Sequence, residues 1–431
     1  MGRLPMAAAV AALSVALTAS AGAQEAGGER PTSTESGQSP LDESFGPRTH
    51  ADWVIETRRK AWADTRFDVQ IRSYYFDREH VDGSESEAWA LGGPAGFKTG
   101  YFRERLALGA TGYTSQPLYG PEDKDGSLLL KPGQEGYTVL GELYGELLFG
   151  EDTRLTVGRR GLDTPYVNRN DSRMTPNTFE TIALQGLYVG GESEWRAGAG
   201  YVDRIKPRNS DDFVSMATAA GAPGGIERGV YVGGANYRNG DLSIGAVDYY
   251  SDDIINIFYA ESKYSLPAGG DRRLQFALQY TDQRSVGDNR LLGTDFTAQQ
   301  WGSKAEFAAG NALLTAAYTS ATGDTGMQSP WSSYPGYTSV QVADFNRDGE
   351  EAWMLRAAYN FPSVKGLSAY ALWVTGSDPE DPAEFARDEY DFNLQWSPVS
   401  GPLKGLMLRL RYAHSDQDDL RLMVFYDPPS L

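Results

Sequence analysis

Residues 404–431 read KGLMLRLRYAHSDQDDLRLMVFYDPPSL. Leu406, Leu408, Leu410 and Tyr412 alternate with Met407, Arg409, Arg411 and Ala413. After a short polar break, Leu420, Leu422, Val424 and Tyr426 alternate with Arg421, Met423, Phe425 and Asp427. A period of two places successive side chains on opposite faces of a strand. Two such runs joined by a tight break predict an antiparallel hairpin. One face is apolar; the other carries three arginines and, on this reading, no compensating acid. A water-soluble sandwich would turn the arginines to bulk water. A transmembrane barrel would turn them to a water-filled lumen and the leucines to lipid. The rest of the chain decides between the two.

Composition narrows the choice. The chain of 431 residues has no cysteine, which excludes thiolate metal sites and thiol nucleophiles. Imidazole can come only from His50, His80 and His414, so no histidine-rich metal centre and no cofactor are expected. A net charge of −19 argues against a nucleic-acid partner. Residues 1–23 read as a signal peptide: Arg3, an apolar run, then Ala21-Gly22-Ala23 as the preferred cut, with Ala19-Ser20-Ala21 second. No later stretch approaches the roughly 18–20 apolar residues of a spanning helix. An exported chain without such a helix can cross a bilayer only as a closed barrel.

Residues 24–65 read as an N-terminal periplasmic extension. Its first part, rich in Gly, Ser, Thr, Glu and Pro, has the composition of a disordered segment, and 51–64 could form one short amphipathic helix leading into the barrel. From Arg66 onward about eighteen alternating segments follow, the first near 66–77 and the last near 419–427. Most reach the ~9–11 residues that a tilted strand needs to cross a membrane. The connections alternate in length. Lys98-Thr99-Gly100, Gly150-Glu151-Asp152, Gly190-Gly191-Glu192, Asn239-Gly240 and Gly310-Asn311 are short, while 115–135, 161–177, 205–227, 285–297 and 323–350 are long. Short turns on one side and long loops on the other are what an outer-membrane barrel shows; a sandwich has no reason to keep that parity. The fold expected is therefore all-β: a single transmembrane antiparallel β-barrel of about 18 strands over 66–431. Its turns would be periplasmic and its loops extracellular. Tyr74, Tyr75, Trp195, Tyr249, Tyr250, Trp301, Trp353, Trp373, Trp396 and Tyr426 lie near strand ends and fit interfacial girdles.

Four stretches carry a family resemblance: VQIRSYYFDRE (69–79), RRGLDTPYVNRNDSRMTPNTFETIALQG (159–186), DRIKPRNSDDF (203–213) and the terminal DLRLMVFYDPPSL. With these the chain resembles the OprD family of bacterial outer-membrane porins, substrate-selective channels of eighteen strands. The pattern in the second stretch falls on Asn170, Asp171, Arg173, Pro176, Thr178, Phe179 and Glu180. The departures are Thr181 in place of the usual glycine, a longer 24–65 segment and individual loop sequences.

The resemblance implies a basic ladder leading carboxylate-bearing solutes through the pore, with Arg409, Arg411 and Arg421 in that role. Strand parity alone adds Arg72, Arg103, Arg105, Lys304 and Arg356 to the inward set. The competing account is that such cations pair with facing acids, Asp68, Asp391 or Glu306, for structural reasons. The resemblance also implies that the third loop, 161–177, folds inward and narrows the pore, lined by Asn170, Asp171, Ser172 and Arg173. Asp344, Asn346, Asp348 and Gly349 match the first half of a calcium loop, but Leu355 stands where glutamate is needed, so no metal is expected there.

The expected function is a passive porin for small carboxylate-bearing solutes: amino acids, organic acids or aromatic acids. Partners would be anionic or zwitterionic small molecules, outer-membrane lipid and lipopolysaccharide, with monomer and homotrimer both open. The alternatives are a barrel hydrolase using His414, Ser415 and Asp416, or a plugged structural barrel.

Overall fold

A computed structural model describes residues 50–377, 379–380 and 384–428. The expected signal peptide, 1–23, the segment 24–49 and the last residues 429–431 lie outside the described residues.

Eighteen strands form the wall, numbered here in chain order. β1 is Arg66–Val69 continued by Ile71–Glu79; β2 is Glu85–Lys98, β3 Leu106–Tyr119, β4 Tyr137–Phe149, β5 Thr153–Arg160 and β6 Thr178–Gly190. β7 is Ser193–Lys206, β8 Val230–Asn239, β9 Leu242–Ser251, β10 Ile255–Pro267, β11 Arg273–Arg284 and β12 Thr297–Ala309. β13 is Ala312–Gly323, β14 Glu351–Asn360, β15 Leu367–Gly376, β16 Arg387–Trp396, β17 Leu406–His414 and β18 Asp418–Tyr426. Each strand pairs antiparallel with its successor, as β17 does with β18. β18 pairs back on β1, Tyr426 facing Ile71 and Asp418 facing Glu79. The sheet is closed and has no edge, so every strand finds its backbone partners within the wall, which is what lipid demands.

Alternation does the sorting. On β17 the arginines are buried inside while Tyr412 is exposed. Around the outside Leu108, Leu143, Ile182, Leu184, Leu278, Leu314 and Leu355 form an apolar band. In water such a band would be an aggregation surface; facing acyl chains it is the membrane-spanning zone. Trp195, Trp301 and Trp353 lie outside, and the last two stack on Tyr280 and Tyr318 of neighbouring strands. Tyr74 and Tyr249 do not belong to the girdles: both are buried inside the barrel. Nearness to a strand end does not fix which face a residue takes; parity does, and both have inward parity.

The long connections fold back into the lumen. Tyr166 of the 161–177 loop meets Tyr249, Tyr259 and Tyr334 edge-on at ring distances of 6.0, 6.3 and 6.3 Å. Trp331 of the 324–350 loop is buried, and its indole Nε1 donates to the Met216 carbonyl at 2.9 Å. Met216 opens a one-turn helix, Met216–Ala219, capped by the Ser215 side chain, which accepts from the Thr218 amide. With Val247, Ile255, Ile257 and Phe296 these residues make a dry core across one side of the barrel mouth. The open space is left against the opposite wall, lined from β12 and from β15–β18 round to β1. At the short-turn end a helix, α1 (His50–Thr57), turns Trp53 inward.

Candidate channel site

β17, β18 and β1 are consecutive strands of the closed sheet, so their inward residues form steps. Register sets Arg78 opposite Asp419, and Ala413 opposite the same Asp419. One step toward the short-turn side, Arg411 faces Arg421, which also faces Phe76. The next step holds Arg409, Met423 and Tyr74, and the one after it Met407, Phe425 and Arg72. Each step along a strand face is roughly 6.6–7 Å.

Two like charges set directly opposite each other would repel by about 4 kcal/mol at contact distance and an effective dielectric of 20. Asp419 offsets this. It accepts from Arg421 Nε at 2.7 Å and from Arg78 Nε at 2.7 Å, and it is fully buried. The sequence expectation that this polar face has no compensating acid is thus corrected. Asp419 shares parity with Arg421 and lies just beyond the polar break.

The 161–177 loop reaches this wall. Arg72 is buried at its inward position, and its guanidinium clasps Asp171 with Nη1–Oδ1 at 2.5 Å and Nη2–Oδ2 at 2.7 Å. The fork geometry of arginine suits a carboxylate in this two-point contact. Gln70 helps aim it: the strand breaks there, and the Gln70 side chain accepts from Arg72 Nε at 2.5 Å. The break depends on Gly93, whose φ of +126° lets β2 pass so close that a Cβ would lie 2.1 Å from the Gln70 carbonyl oxygen. Arg173 is buried and donates through Nε to the Ser127 carbonyl at 2.9 Å. Arg208 Nη1 donates to Asn170 Oδ1 at 3.0 Å and Ser172 Oγ at 2.6 Å. Asn170, Asp171, Ser172 and Arg173 all face one cavity of about 870 Å³.

The 324–350 loop forms the cavity's other side with Tyr334, Tyr337 and Ser339. It hangs from acids on β16: Glu389 accepts the amides of Val342 and Ala343 at 2.7 and 2.8 Å, and Asp391 accepts that of Gln341 at 3.2 Å. Gln341 Nε2 also donates to Asp419 at 2.7 Å. One loop therefore bridges the acids of two strands.

The eight cations named from sequence divide. Lys304, Arg411 and Arg421 line the cavity. Arg356, Arg409 and Arg72 are buried on the inward face outside the lining: Arg356 lies 4.3 Å over the Tyr370 ring, and Arg409 Nε donates to Asn393 at 2.6 Å. Arg103 and Arg105 are corrections. They are exposed in the turn between β2 and β3, where Arg103 and Glu104 have φ of +49° and +59°. The Phe102 carbonyl receives the Arg105 and Leu106 amides there. Counting parity back from Leu106 runs through a turn, where parity has no meaning. Lys304 lies 3.9 Å from Glu306, one of the facing acids considered from sequence.

Arg78, Arg208 and Arg169 also line the cavity and were missed. Arg78 shares the parity of Arg72, so that signal was present; Arg169 and Arg208 lie on loops, which carry no parity. Asp344, Asn346 and Asp348 do not converge. Asp344 accepts from Ser339 Oγ at 2.6 Å, Asn346 donates to the Met327 carbonyl, and Phe345 between them has φ of +48°. Burial pushes the Asp344 carboxyl upward, against the Ser339 bond that lowers it, which suits a cation ligand poorly. Among the described residues no cluster of three or more acids or imidazoles could hold a metal ion. At the β17–β18 turn, His414 Nδ1 pairs with Asp418 at 2.7 Å while Ser415 Oγ bonds the Gln417 carbonyl, so no nucleophile–base pair forms.

The model of the outer membrane porin, OprD family, matches residues 61–429. The chain belongs to that family. This porin is therefore a multi-pass barrel of the bacterial outer membrane that takes up small-molecule substrates, and it is not an enzyme. It is 25% identical to Porin D of Pseudomonas aeruginosa over 408 residues, covering 84% of this chain and 90% of that one. The structure of OccK9 (OpdG) of Pseudomonas aeruginosa superposes with a TM-score of 0.77 at 27% identity, covering 86% of this porin and 100% of OccK9. That of OpdK with vanillate, also from Pseudomonas aeruginosa, gives 0.76 at 24%, with 86% and 100% covered.

The clasp on the inward loop is testable in this porin. Asp171→Ala removes both bonds from Arg72, charge-assisted hydrogen bonds worth about 1.5–3 kcal/mol each. Single-channel conductance in KCl should rise and become noisier as the 161–177 loop loosens. A trace indistinguishable from the parent would show that Arg173 and Arg208 hold the loop without it.

Proposed function

We propose that this porin passes small carboxylate-bearing solutes, anionic or zwitterionic, by passive diffusion along the basic wall. The observation that carries this reading is the stepped order of Arg78, Arg411 with Arg421, Arg409 and Arg72 on three adjacent strands, of which Arg78, Arg411 and Arg421 open on the 870 Å³ cavity and Arg409 and Arg72 continue the row below it. A cavity of that size admits an amino acid or a single-ring acid with some of its water.

The physics favours a row over one strong site. A charge pair at 4 Å is worth about 1 kcal/mol in water and about 4 at an effective dielectric of 20. A carboxylate that trades one arginine for the next keeps that energy roughly level, so it enters readily and still leaves. Pairing of Arg78 and Arg421 with Asp419 keeps those steps from holding too hard. The net charge of −19 is compatible, because the acids on the external loops do not set the field inside. OpdK was solved with vanillate, an aromatic carboxylate; that belongs to OpdK and is in keeping with this reading.

Liposomes carrying the purified porin should take up benzoate and neutral amino acids severalfold faster than glucose. Arg411→Ala with Arg421→Ala should narrow that gap. Equal uptake of all three by the parent protein would remove the carboxylate reading and leave a general porin.

A further inference from the structure

A second group of cations sits at the other end of the barrel, outside the wall just described. Lys98 ends β2 at a short turn, Arg154 opens β5 beside another, and Arg160 closes β5. Arg154 is 3% exposed and has the parity opposite to Val157, which faces lipid, so it points into the lumen. All three gather on Glu146 of β4, which is fully buried: Lys98 Nζ at 2.6 Å, Arg160 Nη1 at 2.9 Å and Arg154 Nη1 at 3.8 Å, with Tyr101 Oη donating at 2.9 Å. One carboxylate does not balance three cations in such a place.

The second carboxylate comes from outside the barrel wall. Glu56 of α1 reaches in, one oxygen on Lys98 Nζ and the other 4.0 Å from Arg154 Nη1. Trp53 anchors the helix. It is 1% exposed, its Nε1 donates to the Glu151 carbonyl at 2.7 Å, and the Arg154 guanidinium lies 4.3 Å over its ring. Ile55, two residues on, is 62% exposed. α1 precedes residue 61, where the family match begins.

We propose that Lys98 and Arg154 form a second carboxylate site at the periplasmic mouth, occupied in this structure by the side chain of Glu56, so that α1 is a tethered competitor for that site. A free carboxylate that displaces Glu56 meets the same two donors, and the helix moves aside. Undocking takes the negative charge of Glu56 away from Lys98 and Arg154, which raises the local positive charge in the lumen by one, and removes the bulk of Trp53 from the exit. The ligand class rests on the carboxylate reading of the pore; the docking of the helix does not, and the two can be tested apart.

The absence of native cysteine makes the test direct. Thr57 is 7% exposed, on the docked side of the helix. In purified full-length protein carrying Thr57→Cys, the thiol should react with a bulky maleimide at least tenfold more slowly than that of the Ile55→Cys variant. Adding Trp53→Ala should bring the two rates together. Equal rates without Trp53→Ala would overturn the docking. In planar bilayers with a KCl gradient, Trp53→Ala should raise conductance about 1.5- to 2-fold. Glu56→Gln, which keeps the anchor and removes one negative charge, should shift the reversal potential toward anion preference. If Trp53→Ala does not assemble, Glu56→Gln alone decides, and an unchanged reversal potential would overturn the proposal. Neither bilayer reading needs a transported substrate, so both stand apart from the uptake experiment. Sodium benzoate at tens of millimolar should speed labelling of the Thr57→Cys variant while sodium chloride of equal ionic strength does not; identical rates would overturn the carboxylate assignment of the site.

Discussion

Replacing Leu408 and Leu410 together by arginine should abolish barrel assembly. Both residues share the outward parity of Tyr412 on β17, with Val424 and Leu422 opposite them on β18. A charge forced onto the lipid face near the midplane costs about 2–4 kcal/mol. Two on one strand reach about 4–8 kcal/mol, which rivals the whole stability of an ordinary domain. The strand has no register that rescues it, because a slip of one residue would turn Arg409 and Arg411 to lipid instead. Heat-modifiable gel migration reads the outcome: the folded form should disappear. A normally folded double variant would mean that the assignment of faces on β17 is wrong, and the cation row with it.

The second large effect lies on the other face of the same strand. Arg409→Ala with Arg411→Ala should leave migration on the gel unchanged and lower carboxylate uptake severalfold. The two residues lie roughly 6.6–7 Å apart along β17 on the same face, so a carboxylate moving from one to the other stays within the field of at least one. In a partly hydrated pore each guanidinium holds a passing carboxylate by roughly 1–2 kcal/mol, and its removal forfeits that much. Arg409→Lys with Arg411→Lys should recover part of the flux, since charge is kept but the planar fork is not. Glucose uptake gives the control: a parallel fall in both solutes would point to a collapsed pore rather than a missing recognition step.

The sequence was most legible where one face of a strand meets lipid. Leu406, Leu408 and Leu410 against Arg409 and Arg411 are enough to orient β17, because lipid tolerates only one choice. Legibility stops where that constraint stops. Arg103 and Arg105 were misplaced by extending a period of two into a turn of positive φ. Asp419 was overlooked because it sits at the first inward position after a break. The 324–350 loop gave no hint that it enters the lumen and builds one side of the cavity with Tyr334, Tyr337 and Gln341. A loop that folds back is held by scattered single bonds, such as those of Glu389 to two successive amides, and these leave no period to read. The third loop was placed only through its family resemblance.

The dry core of Tyr166, Tyr249 and Trp331 has a consequence for how such a protein fails. The wall closes through its own strand pairing, while the bore is set by loops packed inside it. Damage to the packing therefore does not yield a missing channel. It yields a finished ring with its filling loosened, set into a membrane whose purpose is to keep bulky toxins out. For the cell, an assembled but unfilled copy is worse than none, which places the strictest demand for accuracy on side chains that never touch a passing solute.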